Sequence, residues 1–441
     1  MRCCFITLGC RVNQYESDAM AELMQSAGYE ITDDPGAADV CIVNTCTVTN
    51  IADRKSRQML SKAHRLNENA KIIACGCFTQ RSPEQARELP GVDAVIGTAD
   101  KSRIVEIVDS LFAGEDEGPS VLVRDVMHEH EFEEMSAAHE GRTRAYLKIQ
   151  DGCNMFCTYC AIPFARGAIR SRSLASVRAE AEKLNADGYA EVVLTGIHLM
   201  SYGRDIGDGT DILDAVACFD GLPNIRRIRF GSLEPHLMTD GIIRGLAANE
   251  RICKQFHLAL QSGSTTVLER MRRGYTADEY LALTDKLRQA FGEDLALTTD
   301  IIAGFPGETA SEHNETLAFI EKVGFSKVHV FPYSRRSGTP ADRMPCQLTN
   351  KEKSDRAREL IAKGRLLERQ FLSKFTGRTM TVLVEEVSDG SSFGCTDNYI
   401  RVRIPYAVMP DTLTEVRLDG IEEADGEIRL TARNENNQLR R

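Results

Sequence analysis

The sequence predicts an α/β protein in three parts: an N-terminal open parallel sheet with helices on its faces, a central partial barrel of six (β/α) units, and a small all-β barrel at the C-terminus. Three observations carry this. Strand-like and helix-like stretches alternate over residues 1–113. Six strand candidates then recur between residues 144 and 340 at intervals of roughly 30–45 residues, the length of one βα unit. The last ~70 residues turn to short strands broken by Gly, Asp and Pro. A chain of 441 residues also has room for about three domains.

In the first part the β-branched runs at 4–8, 39–43, 71–74 and 92–96 read as strands, and 13–27 and 51–66 as the helices between them. Residues 114–140 break the pattern, being acidic and short of periodic apolar positions, and read as a linker or an edge hairpin. The barrel strands are expected at 145–149, 191–195, 227–232, 256–261, 296–302 and 327–333, within a domain of 141–370. Six units make a partial barrel, short of a complete eight-unit one. A charged helix over 349–374 leads into strands at 379–386, 398–404 and 412–418 of a domain at 371–434, with 435–441 as a tail.

Hydrophobic residues at 42% and charged residues at 27% exclude wholesale disorder and fibrous classes. The net charge of -11 disfavours indiscriminate binding of polyanions. No apolar run approaches the ~18 residues of a spanning helix, and the N-terminus enters a strand directly, so the expected place is the cytoplasm, with no membrane contact. In that reducing compartment fourteen cysteines point to metal or redox chemistry before disulfides.

Cys153-Asn-Met-Phe-Cys157-Thr-Tyr-Cys160 places three thiols in eight residues just beyond the first barrel strand, the end at which barrel enzymes build active sites. Three thiolates suit three irons of a [4Fe-4S] cluster and leave the fourth iron open to a ligand. A zinc knuckle and inert core thiols are the other readings; zinc needs a fourth ligand in paired spacing, and none follows closely. Cys10, Cys46 and Cys77 form a second, dispersed set. Each follows an expected strand, and separations of 36 and 31 residues, about one βα unit each, let them converge at one edge of an open sheet. Taken singly each reads first as a core thiol, and it is their joint placement that points to ligation. Cys3, Cys4, Cys41, Cys75, Cys218, Cys253, Cys346 and Cys395 read as packing residues.

The CxxxCxxC run resembles the radical S-adenosylmethionine superfamily. The two cysteine sets in this order, followed by a terminal β-domain, resemble its methylthiotransferase family over residues 1–434. Tyr146-Leu-Lys-Ile-Gln150-Asp-Gly-Cys153, Ala165-Arg-Gly-Ala-Ile-Arg-Ser-Arg172, Leu194-Thr-Gly-Ile-His198 and Gly231-Ser-Leu-Glu-Pro235 are similar to the threonylcarbamoyl-adenosine branch of that family. Met155, Ala161 and Phe164 depart from its usual pattern without removing a cysteine.

The resemblance implies two [4Fe-4S] clusters, one on Cys153, Cys157 and Cys160 and one on Cys10, Cys46 and Cys77, with S-adenosylmethionine as cofactor. It implies cofactor contacts at Tyr159, Thr195, Gly196, Ser232, Gln261 and Asp300. The implied reaction is methylthiolation of C2 of adenine in a tRNA anticodon stem-loop bearing t6A37, by a monomer fed by a reducing electron donor. A sibling acting on isopentenyl-adenosine or a ribosomal-protein aspartate, and a non-catalytic iron-sulfur RNA-binding or redox-sensor protein, are the alternatives. The terminal domain resembles a TRAM barrel. With nine Lys/Arg against twelve Asp/Glu from 371 to 441 it is not basic as a whole, so phosphate contacts are expected from a local face, Arg401 and Arg403 or else Arg433 and the terminal arginines. A denser basic run, Arg166, Arg170 and Arg172, is placed either to grip phosphates beside the reacting base or to hold the helix that follows.

Overall fold

The computed structural model describes residues 1–114, 120–137 and 143–433. Its N-terminal domain comprises β1 (Arg2–Thr7), α1 (Arg11–Ser26), β2 (Glu30–Thr32), β3 (Val40–Thr45), α2 (Asn50–Leu66), β4 (Lys71–Gly76), α3 (Cys77–Arg81), α4 (Pro83–Arg87), β5 (Val92–Ile96), α5 (Ile104–Ala113) and β6 (Ser120–Leu122). All six strands pair in parallel in the order β2-β1-β3-β4-β5-β6. β3 is buried at every position because helices cover both faces, which is why it is a continuous apolar run and not an alternating one. Met20, Met24, Ile104 and Val108 pack one face, and Leu60, Ala63 and Phe78 the other. The strand order reverses between β1 and β3, and the crevice beyond their carboxyl ends is the place where such sheets bind ligands.

The stretch expected as a linker or edge hairpin contributes a strand to the N-terminal sheet. Its residues 120–122 form β6, the sixth parallel strand, because the exposed edge of β5 offers unpaired backbone groups that a short Val-centred segment satisfies. Met135 and Ala137 then pack on Tyr15 and Ala19, and the Tyr15 hydroxyl donates to the Met135 carbonyl at 2.6 Å. Residues 115–119 and 138–140 of that stretch, and the 435–441 tail, lie outside the described residues.

The central region contains β7 (Arg144–Lys148), β8 (Gln150–Asp151), α6 (Ile162–Arg166), β9 (Arg170–Ser171), α7 (Leu174–Ala186), β10 (Glu191–Thr195), α8 (Ile212–Ala217), β11 (Arg227–Phe230) and β12 (Ser232–Leu233). It continues with α9 (Asp240–Ala247), β13 (Gln255–Leu258), α10 (Thr265–Met271), α11 (Ala277–Phe291), β14 (Ala296–Ala303), α12 (Ala310–Val323) and β15 (Lys327–Pro332). The expected strand at 227–232 splits at Gly231, so the arc is built from two parallel sheets, β11-β10-β7 and β12-β13-β14-β15. Thr276 with Glu279 and Thr309 with Glu312 are reciprocal capping boxes that start α11 and α12.

A third capping box, Thr349 with Glu352, opens α13 (Asn350–Ser373). This helix leads to β16 (Thr379–Ser388), β17 (Ser391–Thr396), β18 (Arg401–Ile404), β19 (Leu413–Ala424) and β20 (Glu427–Ala432), a closed barrel in the order β16-β17-β18-β20-β19. Val382, Val384, Val402, Leu418 and Leu430 fill it, with Phe371 and Phe375 from the end of α13 as a plug. The sequence reading missed β17, whose residues are mostly small and polar, and β20, although Ile428, Leu430 and Ala432 alternate there with polar residues. Among the described residues no helix is long and apolar enough to cross a membrane.

Candidate active site

Thr7 pairs with Asn44, and Asn44 with Cys75, so β1, β3 and β4 end at one level and deliver Cys10, Cys46 and Cys77 to the same crevice. Asn13 holds them there. Its Nδ2 donates to the Leu8 and Thr45 carbonyls at 2.8 and 3.0 Å, and its Oδ1 lies 3.9 Å from the sulfurs of both Cys10 and Cys77. Gly9 is required by the approach of the first loop to the second. At φ +105 it sits where a Cβ would meet the Cys46 Cβ and Sγ at 2.9 Å.

The other set lies on a loop whose base is closed by the antiparallel pairing of β8 with β9. The Cys153 amide donates to the Gly167 carbonyl at 2.9 Å, and the Thr158 amide and hydroxyl donate to the Met271 and Arg270 carbonyls at 3.0 and 2.9 Å. Gly152 permits the crossing, since a Cβ there would fall 1.7 Å from the Ala168 oxygen. Arg273 Nη1 donates to Cys157 Sγ at 3.3 Å, and Arg273 is itself paired with Glu234.

Burial pushes the thiols of Cys46, Cys153 and Cys160 up to about 12. Burial does the same to the packing cysteines Cys75, Cys253 and Cys395, so it is the placement of the thiols and not this shift that marks the two sets. Among the described residues no three ligand-type side chains close on one point at the distance of a single ion. A four-iron cube differs in this respect, because each of its thiolates sits on a separate iron.

A cavity of about 780 Å³ runs along the concave side of the central arc. Thr195, Gly196, Ser232 and Asp300 line it, as expected of cofactor residues, and so does Cys10 from the N-terminal domain. Gln261 and Tyr159 lie outside its wall: the Gln261 amide donates to the Asp300 carbonyl at 2.9 Å, and Tyr159 stands edge-on to Phe305. Cys153, Cys157 and Cys160 do not line the cavity directly either. Gln150 connects the two places, its Oε1 accepting from the His198 amide at 2.7 Å and its Nε2 donating to the Gly152 carbonyl at 2.8 Å.

The sequence reading missed His257 and His329, which flank Asp300 on the cavity wall, with His257 Nε2 3.3 Å from Asp300 Oδ2 and the two imidazole centroids 5.9 Å apart. The signal was present as polar residues at alternate positions of three adjacent strands: Gln255 and His257, Thr298 and Asp300, Lys327 and His329. Tyr399 and Cys395 of the terminal barrel also line the cavity, so its wall draws on all three parts of the chain.

The basic run beside the cluster loop is not a phosphate grip. Arg166, Arg170 and Arg172 are 0%, 6% and 3% exposed. Arg166 pairs with Glu16 and Asp151, Arg170 with Asp151, and Arg172 with Glu180 and with Glu134 at 3.2 Å. Glu16 comes from 150 residues away, whereas Asp151 and Glu180 lie 15 and 8 residues from their partners, and a buried guanidinium persists only when so paired. Arg401 lines the cavity and is held by Glu385 and Glu386 at 3.2 and 2.7 Å. Arg403 forks onto Glu422 at 2.8 and 2.9 Å.

Residues 2–97 match the model of the uncharacterized protein family UPF0004, and residues 147–320 that of the radical SAM superfamily. A threonylcarbamoyladenosine tRNA methylthiotransferase (MtaB) of Bacillus subtilis is 42% identical over 404 residues, 90% of this chain and 89% of that protein. The chain belongs to the radical S-adenosylmethionine methylthiotransferase family.

Another family member, the MtaB of Thermotoga maritima, is 38% identical over 90% of this chain and 89% of its own length. A tRNA-2-methylthio-N(6)-dimethylallyladenosine synthase of Acetivibrio thermocellus is 34% identical over 87% of this chain and 81% of its own length. Among solved structures the radical S-adenosylmethionine methyltransferase TsrM of Kitasatospora setae has the same fold at TM-score 0.55 and 16% identity, covering 77% of this chain and 74% of that one. This methylthiotransferase is therefore a transferase of the radical SAM type, and membership brings S-adenosylmethionine and a [4Fe-4S] cluster as cofactors. Three cysteines within eight residues of one loop, with Gly152 clearing the crossing at its base, fit such a cluster.

Proposed function

We propose that this enzyme converts the threonylcarbamoyl-adenosine of a tRNA anticodon loop to its 2-methylthio derivative, with a [4Fe-4S] cluster on Cys153, Cys157 and Cys160 and a second on Cys10, Cys46 and Cys77. The observation that carries this reading is the convergence of three thiols from three separate strand ends beside a cavity that Cys10 shares with Thr195, Gly196, Ser232 and Asp300. A single-cluster radical enzyme has no use for the N-terminal set, Cys10, Cys46 and Cys77. The adenine C2 carries no leaving group beyond hydride, so polar substitution there is slow, and a radical route answers that difficulty. The bound cofactors supply the reactive radical and the methylated sulfur.

The chain's own residues supply position. Glycine at 196 keeps the cavity wall against Gln150, where a Cβ would lie 2.8 Å from Gln150 Oε1. Asp300, bridged to His257, gives the cavity a hydrogen-bond acceptor of fixed direction. Arg401 brings the terminal barrel, in its TRAM-like role, to the cavity, where a charged donor suits a splayed-out nucleotide, while the neighbouring Tyr399 ring lies under the guanidinium groups of Arg229 and Arg144 at 4.4 and 5.1 Å. A single-stranded loop is the form of RNA whose bases can leave their stack and enter such a cavity.

The threonylcarbamoyl branch is favoured by the identity of 42% to a relative of that name against 34% to the dimethylallyl one. Nucleoside mass spectrometry of tRNA with and without the gene tests it: loss of methylthio from threonylcarbamoyl-adenosine alone supports the reading, and loss from the isopentenyl series alone transfers the chain to the sibling branch. For the two sites, Cys77→Ala is expected to retain reductive cleavage of S-adenosylmethionine and lose the methylthio product, whereas Cys157→Ala loses both. Full product from Cys77→Ala removes the second cluster from the scheme.

A further inference from the structure

Arg166 ends α6 in the central region, yet its fork reaches into the N-terminal domain. Its Nε donates to Cys77 Sγ at 3.3 Å and its Nη2 to Asn13 Oδ1 at 2.6 Å, the oxygen that sits beside both Cys10 and Cys77. The remaining contacts go to Glu16 and to Asp151, the latter at 3.2 Å. Lys148 lies 2.7 Å from each of these carboxylates, Lys101 pairs with Glu16, and Arg170 lies 3.8 Å from Asp151.

Four cations thus share two carboxylates, and all six side chains are more than nine-tenths buried. Among the described residues no other carboxylate lies within 4.0 Å of these four cations. A buried surplus of positive charge is strongly unfavourable unless an anion answers it, and the nearest candidate is the thiol set that Arg166 touches at Cys77. The other cysteine set differs: Arg273, which donates to Cys157, is matched by Glu234. The surplus belongs to the N-terminal site alone.

We propose that Arg166 is a positioning residue of the N-terminal three-thiol site, reaching across the domain interface to hold Cys77 and Asn13 and bringing the surplus charge of this network against the anionic centre formed there. This rests on the reading that Cys10, Cys46 and Cys77 hold a [4Fe-4S] cluster. Nearby positive charge favours the state with one more electron, so the network raises the cluster's reduction potential. The step is the gain of one electron by the cluster from an external low-potential reductant, with no bond made or broken.

The test uses the full chain with Cys153, Cys157 and Cys160 changed to Ala, reconstituted anaerobically with iron and sulfide, so that any cluster occupies the N-terminal site. Its midpoint potential is read by EPR during a dithionite titration, in the parent and in Arg166→Gln, Arg166→Lys and Lys101→Met. Arg166→Gln and Lys101→Met are expected to move the potential to more negative values, and Arg166→Lys to stay near the parent. Lys101 does not touch a thiol, so its variant decides the matter where Arg166→Gln fails to take up iron. A parental potential in Lys101→Met, or in a cluster-bearing Arg166→Gln, overturns the proposal while leaving the cluster in place. Absence of any cluster in the parent overturns the three-thiol reading itself, and the role of Arg166 with it.

Discussion

Gly9→Ala is the sharpest perturbation of the N-terminal site, because it changes no ligand and no charge. The added Cβ would stand 2.9 Å from both the Cβ and the Sγ of Cys46. Ordinary carbon contacts lie at about 3.5–4.0 Å, so Cys46 or the loop carrying Cys10 must retreat by roughly 0.6–1 Å. The backbone at φ +105 adds strain of about 1–3 kcal/mol for any residue with a side chain. A functional constellation tolerates displacements of only about 0.5 Å, so the three thiols lose their common geometry. The expected outcome after reconstitution is a fall from about eight irons per chain to about four, one [4Fe-4S] cluster instead of two. Reductive cleavage of S-adenosylmethionine persists and methylthio product is lost. Iron analysis, 5'-deoxyadenosine quantification and nucleoside mass spectrometry on one preparation read all three. Full iron content with full product in the Ala variant would refute the assignment of Cys10 and Cys46 to one cluster.

The junction between the central arc and the terminal barrel makes a pH prediction. Burial raises Glu191, but Arg229, Arg144 and Arg227 outweigh it and hold the carboxylate at about 2, against an ordinary 4.5. A depressed folded value means stability that is complete above pH 4.5 and lost as pH falls toward 2, amounting to about 3 kcal/mol. Glu191→Gln is expected to flatten that acid limb in urea unfolding at stepped pH, and to cost about 3–5 kcal/mol at neutral pH by leaving three arginines without their shared partner. A Gln variant with parental acid sensitivity would remove Glu191 from the account. Arg172→Ala is expected to lower stability by a similar amount while leaving the salt dependence of tRNA binding unchanged, since its guanidinium is buried on Glu180 and Glu134; a changed salt slope would restore its phosphate role. Arg401→Ala is expected to weaken tRNA binding and reduce the salt slope by about one because Arg401 lines the cavity, and Arg403→Ala to leave both alone because Arg403 stands outside that wall on Glu422. Equal losses in a filter-binding series would contradict that division.

Contiguous spacing settled a good deal. CxxxCxxC needs no tertiary context to be read as a loop of thiols after a strand. The T-x-x-E capping boxes at Thr276, Thr309 and Thr349 mark helix starts within four residues, and the even placing of Cys10, Cys46 and Cys77 after expected strands follows from the βα repeat. These signals are local because helix caps, strand ends and short chelating loops are formed by neighbours in the chain. Chain-distant signals were weaker. The polar alternation that places His257, Asp300 and His329 side by side becomes visible only once β13, β14 and β15 are paired in register.

The sequence by itself determined the class of chemistry and the order of the parts. Tertiary structure alone decided the fate of the charges. Arg166, Arg170 and Arg172 are as basic in the sequence as any RNA-binding run, and nothing in their neighbours announces burial. Glu16, Asp151 and Glu180 reach them across as many as 150 residues. The energy of a charge depends on its solvation and on carboxylates brought near by folding, not on its sequence neighbours. The same packing that removes Arg166 from phosphate sets it against Cys77.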